Sequence, residues 1–148
     1  MSKVVLFLYH FAYRLYLSGL PFLPQLICAF VRVVFSCKIG LGAQIGKGTV
    51  LGYGGLGVVI HHRVVIGENC NIGTGVTLGG TNKIEQVPMI GNNTQISTGA
   101  KIIGPVTIGS NSVVGANAVV LTDIPDNSVA VGIPAKIIKS NINVDEYK

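Results

Sequence analysis

Residues 57–79 read GVVIHHRVVIGENCNIGTGVTLG, and within them Ile60, Ile66, Ile72 and Leu78 stand six residues apart. Outward from this stretch the same step continues through Ile90, Ile96, Ile102, Ile108, Val114 and Val120. An earlier run, Ile39, Ile45 and Leu51, keeps the step in a different phase. Two residues before each aliphatic lies a second apolar or small residue, such as Val58, Val64, Cys70, Val76, Thr94, Ala100 and Val106. Inward positions two apart are what a strand with one buried face requires. A sustained six-residue period describes a parallel β-helix, in which each hexapeptide is a short strand plus a corner and three complete one coil. Glycine usually follows the aliphatic, where the chain turns a corner close to neighbouring backbone. At position 61 that slot holds His61.

Two interruptions break the grid. Leu51 to Ile60 is three residues too long, which places a bulge within Gly52–Gly57. Between Leu78 and Ile90 the inward pattern lapses, so residues 80–88 are expected to protrude as a loop, a common site for binding groups on a rigid scaffold. The coil is expected to end near Ser128, with Val131–Lys136 leading into a short polar tail. The predicted organisation is a helical segment over 1–36, an all-β, left-handed β-helix domain over 37–139 and a C-terminal tail over 140–148. The left hand is an implication of the resemblance described below.

Composition agrees with a regular β architecture: 148 residues suit one domain, charged residues are only 11% and glycines number 20. The net charge of +5 is uneven, because Lys3, Arg14, Arg32, Lys38, Lys47 and Arg63 all precede the first acidic residue, Glu68. A basic, apolar front half suits an anionic ligand or a membrane surface. It lacks the clustered basic residues and motifs of nucleic-acid binding. Cys28, Cys37 and Cys70 show no metal-ligand spacing and read as reduced thiols of a cytoplasmic protein. Cys70 sits on the inward grid as core filler.

Val4–Leu17 and Leu23–Phe35 read as two helices separated by Gly19 and Pro21. Neither reaches the roughly 20 uninterrupted apolar residues of a spanning helix. Two roles stay open for them. They cover the coil or pack in an oligomer, or they contact the inner membrane face as an interfacial anchor through a stripe formed by Lys3, His10 and Arg14.

The stretches Gly57–His61, Gly75-Val-Thr-Leu-Gly-Gly80, Gly99-Ala-Lys-Ile-Ile-Gly104, Val113–Val120 and Val131-Gly-Ile-Pro-Ala-Lys136 together resemble the hexapeptide-repeat acyltransferases, and within them the serine acetyltransferase-like branch. The resemblance covers about residues 37–139. It implies a left-handed β-helix, a homotrimer with active sites between subunits, and acetyl-CoA as co-substrate without a metal. Serine acetyltransferases carry an Asp-His pair ahead of the Gly-Val-Val-Ile stretch, and the matching positions here are Tyr53 and Gly54. A further family histidine aligns with Val87. Short surface-polysaccharide O-acetyltransferases with a Gly-Tyr-Gly-Gly-Leu-Gly stretch look closer.

Acetyl transfer to an alcohol needs a base, and neutral imidazole suits that task near pH 7. His61 is the first candidate and His62 the second; His10 belongs to the N-terminal helix. Glu68 and Asn71 are near enough in sequence to orient His61. The resemblance places Gly80 near the thioester, Thr98 and Ala116 along the pantetheine, and Lys136 against the nucleotide phosphates. The expected function is acetyl-CoA-dependent O-acetylation of an acceptor hydroxyl, placed first on a saccharide of capsule or lipopolysaccharide. L-serine of cysteine biosynthesis is the alternative acceptor, and a non-catalytic binding or structural β-helix is the alternative of another class. Adjacent His61 and His62 do not make the three-histidine ligand set of a metal-dependent carbonic anhydrase.

Overall fold

The computed structural model describes residues 2–147. Helices α1 (Ser2–Leu17) and α2 (Leu23–Phe35) precede the coil. Pro24 falls in the first turn of α2, where a missing N–H leaves no bond unmade. Ser36 ends the helix in the left-handed region at φ 51°.

The coil is a left-handed parallel β-helix. Its first coil holds β1 (Lys38–Ile39), β2 (Gln44–Ile45) and β3 (Val50–Leu51); its second holds β4 (Val59–Ile60), β5 (Val65–Ile66) and β6 (Asn71–Ile72). The third comprises β7 (Thr77–Gly79), β8 (Met89–Ile90) and β9 (Gln95–Ile96), and the fourth β10 (Lys101–Ile103), β11 (Thr107–Ile108) and β12 (Val113–Val114). A partial fifth coil contains β13 (Val119–Val120) and β14 (Ser128–Gly132). Strands of equal rank stack in parallel register, giving one sheet in the order β1-β4-β7-β10-β13, a second of β11-β8-β5-β2 and a third that includes β14-β12-β9-β6-β3. Ile60 faces Leu78 across one rung and Ile72 faces Ile96 across another, so the six-residue grid becomes an unbroken aliphatic column. The second inward set, Val58, Val64, Cys70, Val76, Thr94 and Ala100, is equally buried.

The bulge of the first coil is a short 3-10 turn over Gly52–Gly55, with Tyr53 at φ 49° and 85% exposed. No strand spans 80–88, and residues 81–86 are exposed, Ile84 included. At the far end the chain forms a hairpin ahead of the expected 140–148 tail. β14 runs parallel to β12 and then turns into an antiparallel β15 (Ala135–Ser140), so the Val131–Lys136 stretch forms a hairpin that extends the third sheet. The apolar character of Ile137 and Ile138 was the available signal for it.

At the near end α1 lays Val5, Leu6, Tyr9 and Ala12 inward, in contact with β3 and the 3-10 turn. The Tyr9 hydroxyl is shared between the Gly40 carbonyl (3.1 Å) and the Ala43 carbonyl (2.7 Å). Burial drives its pKa far above the phenol range. The opposite faces of the helices leave Val4, Phe7 and Phe11 of α1 and Leu26, Phe30 and Val33 of α2 exposed. No helix among the described residues is long and apolar enough to cross a membrane.

Candidate active site

Three corners run the length of the coil. His61 and His62 occupy the corner after β4, and Gly80 begins the loop at the same corner one coil above. The His61 backbone N–H donates to the Leu78 carbonyl at 2.9 Å, which locks its Cα to the rung above. Below, a Cβ on Gly40 would meet the His62 backbone nitrogen at 2.4 Å, so only glycine lets the first coil stack there.

The two imidazoles lie side by side, their centroids 4.2 Å apart and their planes tilted by 35°. Partial desolvation, then the neighbouring His62 and Arg63 charges, lower the His61 pKa below the ordinary imidazole value. The shift favours the neutral ring at neutral pH and makes it a weaker base than an ordinary imidazole. The Arg63 N–H donates to His61 Nδ1 at 3.3 Å. A neutral ring that accepts at Nδ1 carries its proton on Nε2. Base action through Nδ1 requires giving up this long contact. Base action through Nε2 requires an acceptor for an Nδ1 proton, and no hydrogen bond from the ring to Glu68, Asn71 or any other described residue supplies one.

Thr98 and Ala116 are exposed on a different corner, the one that follows the third sheet. Thr74 stands beneath Thr98, with their hydroxyls 3.5 Å apart. A Cβ on Gly73 would meet the Thr98 backbone nitrogen at 2.5 Å, so rungs touch backbone to backbone along this edge. Lys136 is exposed on β15 opposite Val131, at the head of the same edge. These small, exposed positions with a cation at one end fit an extended ligand carrying phosphates. Within one chain, then, His61, His62 and Gly80 share one corner, and Thr98, Ala116 and Lys136 share another. The first sheet separates the two.

Sequence reasoning missed a cleft of about 570 Å³ between the last turn of α2 and the first sheet. Arg32, Ser36, Lys38, Gly57, Val58 and Val59 line it. The available signal was the lack of any acidic residue before Glu68, which leaves both cations without a neighbour in sequence to neutralise them. The thiols stand apart from this chemistry. Burial pushes Cys37 up to about 11 and raises Cys70, whose Sγ donates to the Gly91 carbonyl at 3.0 Å. Among the described residues no group of three histidine, cysteine or acidic side chains is placed to hold a metal ion.

The fold is that of the hexapeptide-repeat proteins: the family described as bacterial transferase hexapeptide (six repeats) matches residues 88–122. A serine acetyltransferase of Helicobacter pylori is 38% identical over 132 residues, spanning 88% of this chain and 77% of that protein. A serine acetyltransferase of Synechococcus elongatus is also 38% identical, over 137 residues covering 90% of this chain and 56% of the relative. A solved serine acetyltransferase in complex with CoA superposes with a TM-score of 0.85 at 31% identity, over 90% of this chain and 55% of the other. The chain belongs to the serine acetyltransferase family. It spans little more than half the length of the cyanobacterial relative and of the solved structure.

Proposed function

We propose that this protein is an acetyl-CoA-dependent O-acetyltransferase and that its acceptor hydroxyl is that of L-serine. The observation that carries this is the 38% identity to serine acetyltransferases across nearly the whole chain, joined to a CoA-bound relative of the same fold. L-serine thereby takes precedence over the saccharide that the sequence alone placed first. One observation still favours a saccharide as the second reading. Tyr53, 85% exposed, and Gly54 stand where the resemblance puts an Asp-His pair, and an open aromatic face suits a sugar ring.

Acetyl-CoA, when bound, supplies an acetyl group activated as a thioester. Thr98 and Ala116 give its arm a shallow edge to lie along, Lys136 pairs with its phosphates, and Gly80 leaves room at the reacting end. His61 removes the acceptor's hydroxyl proton as the oxygen forms its bond to the acetyl carbon, and returns a proton to the departing sulfur. Because His61 and the Thr98 edge lie on different corners of one chain, a complete site is best built between neighbouring subunits of a trimer. Partial desolvation, followed by the neighbouring His62 and Arg63, favours the unprotonated form of His61. The apolar outer faces of α1 and α2 belong to subunit packing or to an anionic membrane surface, which vesicle co-sedimentation distinguishes.

The test is release of CoA thiol from acetyl-CoA with L-serine, hexoses and oligosaccharides as acceptors, using wild type and His61→Ala. Turnover with L-serine and a loss of about 10²–10⁴-fold in the variant are expected. Turnover with saccharides alone reverses the choice of acceptor. Absence of both turnover and acetyl-CoA binding removes the enzymatic reading.

A further inference from the structure

We propose that the outer face of α1, together with the corner after β2, docks the protein on a bilayer of anionic phospholipid, with Lys3, Arg14 and Lys47 on the phosphates and Phe7 and Phe11 among the acyl chains. The docking is independent of the acetyltransferase reading above.

The outer face of α1 is apolar and open. Val4, Phe7 and Phe11 follow one another at spacings of three and four, which aligns them along one side of the helix. They are 49, 69 and 47% exposed, while Val5, Leu6, Tyr9 and Ala12 turn into the core. The adjoining α2 adds Leu26, Phe30 and Val33 to the exposed apolar surface. Single exposed apolar residues are ordinary, but a run of large ones on one face marks a docking surface.

Cations rim this face. Lys3, His10 and Arg14 stand beside the two aromatics at spacings of seven and four. Three hollows, of about 240, 310 and 450 Å³, meet at His10. Phe7, Phe11 and Arg14 line the first, Arg14 and Lys47 the second, and Lys3, Phe7 and Lys47 the third. Lys47 belongs to the coil, where the Asn69 N–H donates to its carbonyl at 2.9 Å and fixes the corner in its rung. Cations from two elements therefore surround one aromatic pair. No residue before Glu68 is acidic, so α1 and the first coil contribute no counter-charge. Glu68 itself is exposed one rung above Lys47, and no ion pair joins the two among the described residues.

This charge selects the occupant. A second copy seated on the same face would set Lys3, Arg14 and Lys47 against their own equivalents. An anionic headgroup layer neutralises them instead, and aromatic side chains beneath a rim of long cations are the means by which interfacial helices hold such a layer. At about 24 Å, α1 is too short to cross a bilayer, and its inner side is committed to the coil, so it rests in the interface. Because α1 packs on the first coil and Lys136 stands at the opposite end, docking turns the Lys136 end toward water.

Co-sedimentation of the full chain with vesicles of phosphatidylcholine, alone or mixed with phosphatidylglycerol, tests this. Wild type is compared with Arg14→Gln, Lys47→Gln, Phe7→Ala, Phe11→Ala and Lys139→Gln. Circular dichroism confirms each fold, and sedimentation velocity without lipid reads the oligomeric state. Wild type is expected on the mixed vesicles and not on phosphatidylcholine alone. Arg14→Gln and Lys47→Gln each lose about fivefold in partitioning. Phe7→Ala and Phe11→Ala each lose about tenfold. Lys139→Gln removes the same charge at the far end and keeps wild-type binding. No binding to the mixed vesicles, equal binding to both kinds, or an equal loss in Lys139→Gln and Arg14→Gln overturns the proposal. Dissociation of an oligomer by Phe7→Ala or Phe11→Ala overturns it as well, because a second copy then covers the face.

Discussion

His61 is constrained more by its backbone than by its ring. The Leu78 carbonyl fixes its position in the rung, whereas the imidazole lies against the His62 ring and accepts one long hydrogen bond, from the Arg63 N–H. Its lowered pKa has a definite sign for rate against pH. A base must be unprotonated, so kcat/KM is expected to be flat through neutrality and to fall tenfold per pH unit only below a bend that lies under the ordinary imidazole value. A pH profile at saturating acetyl-CoA measures that bend; a bend at or above the ordinary value removes His61 as the titrating base. The histidine was legible in the sequence because it broke a glycine rhythm. Its tautomer was not, since that depends on a turn geometry two residues wide.

At the scale of elements, α1 is fastened to the coil by one polar contact set within an apolar face. Tyr9 reaches carbonyls 31 and 34 residues away, and both are buried with it. Tyr9→Phe takes the hydroxyl from the Ala43 carbonyl, while the Gly40 carbonyl keeps the Ala43 N–H at 3.1 Å, and a loss of about 1–3 kcal/mol is expected in urea unfolding. An unchanged midpoint would mean that packing of Val5, Leu6 and Ala12 alone holds the helix. The two helices themselves were readable from Gly19 and Pro21, which punctuate them. Their docking was not, because Tyr9 bonds to backbone and backbone leaves no trace in side-chain pattern. The same limit hid the cleft: Arg32 and Lys38 belong to separate elements, and only the Ser36 turn brings them to one surface.

Across the whole molecule, stability resides in the continuous column. Ile102 is fully buried on the grid, paired with Leu78 below and Val120 above. Ile102→Ala is expected to cost about 2–5 kcal/mol in chemical denaturation. Ile84 also falls on the grid by number, yet it is 44% exposed in the loop, and its alanine variant should stay within about 0.5 kcal/mol of wild type. Equal losses would show that loop 80–88 packs as part of the core. The column could be read from sequence because six-residue periodicity forces each aliphatic inward. The terminal hairpin left a weaker trace, Ile137 and Ile138, because β14 and β15 abandon the period and pair antiparallel.

Stacked rungs also act as a ruler. The corner edge climbs from Leu56 through Thr74 and Thr98 to Ala116 and then to Gly132, beside Lys136. Neighbouring strands stand roughly 4.8 Å apart, so four steps separate its foot from its head by roughly 19 Å. Salt attenuates charge over about 8 Å at physiological strength. Charge at the foot of the edge and charge at Lys136 are therefore largely screened from one another, because a whole number of coils keeps them apart.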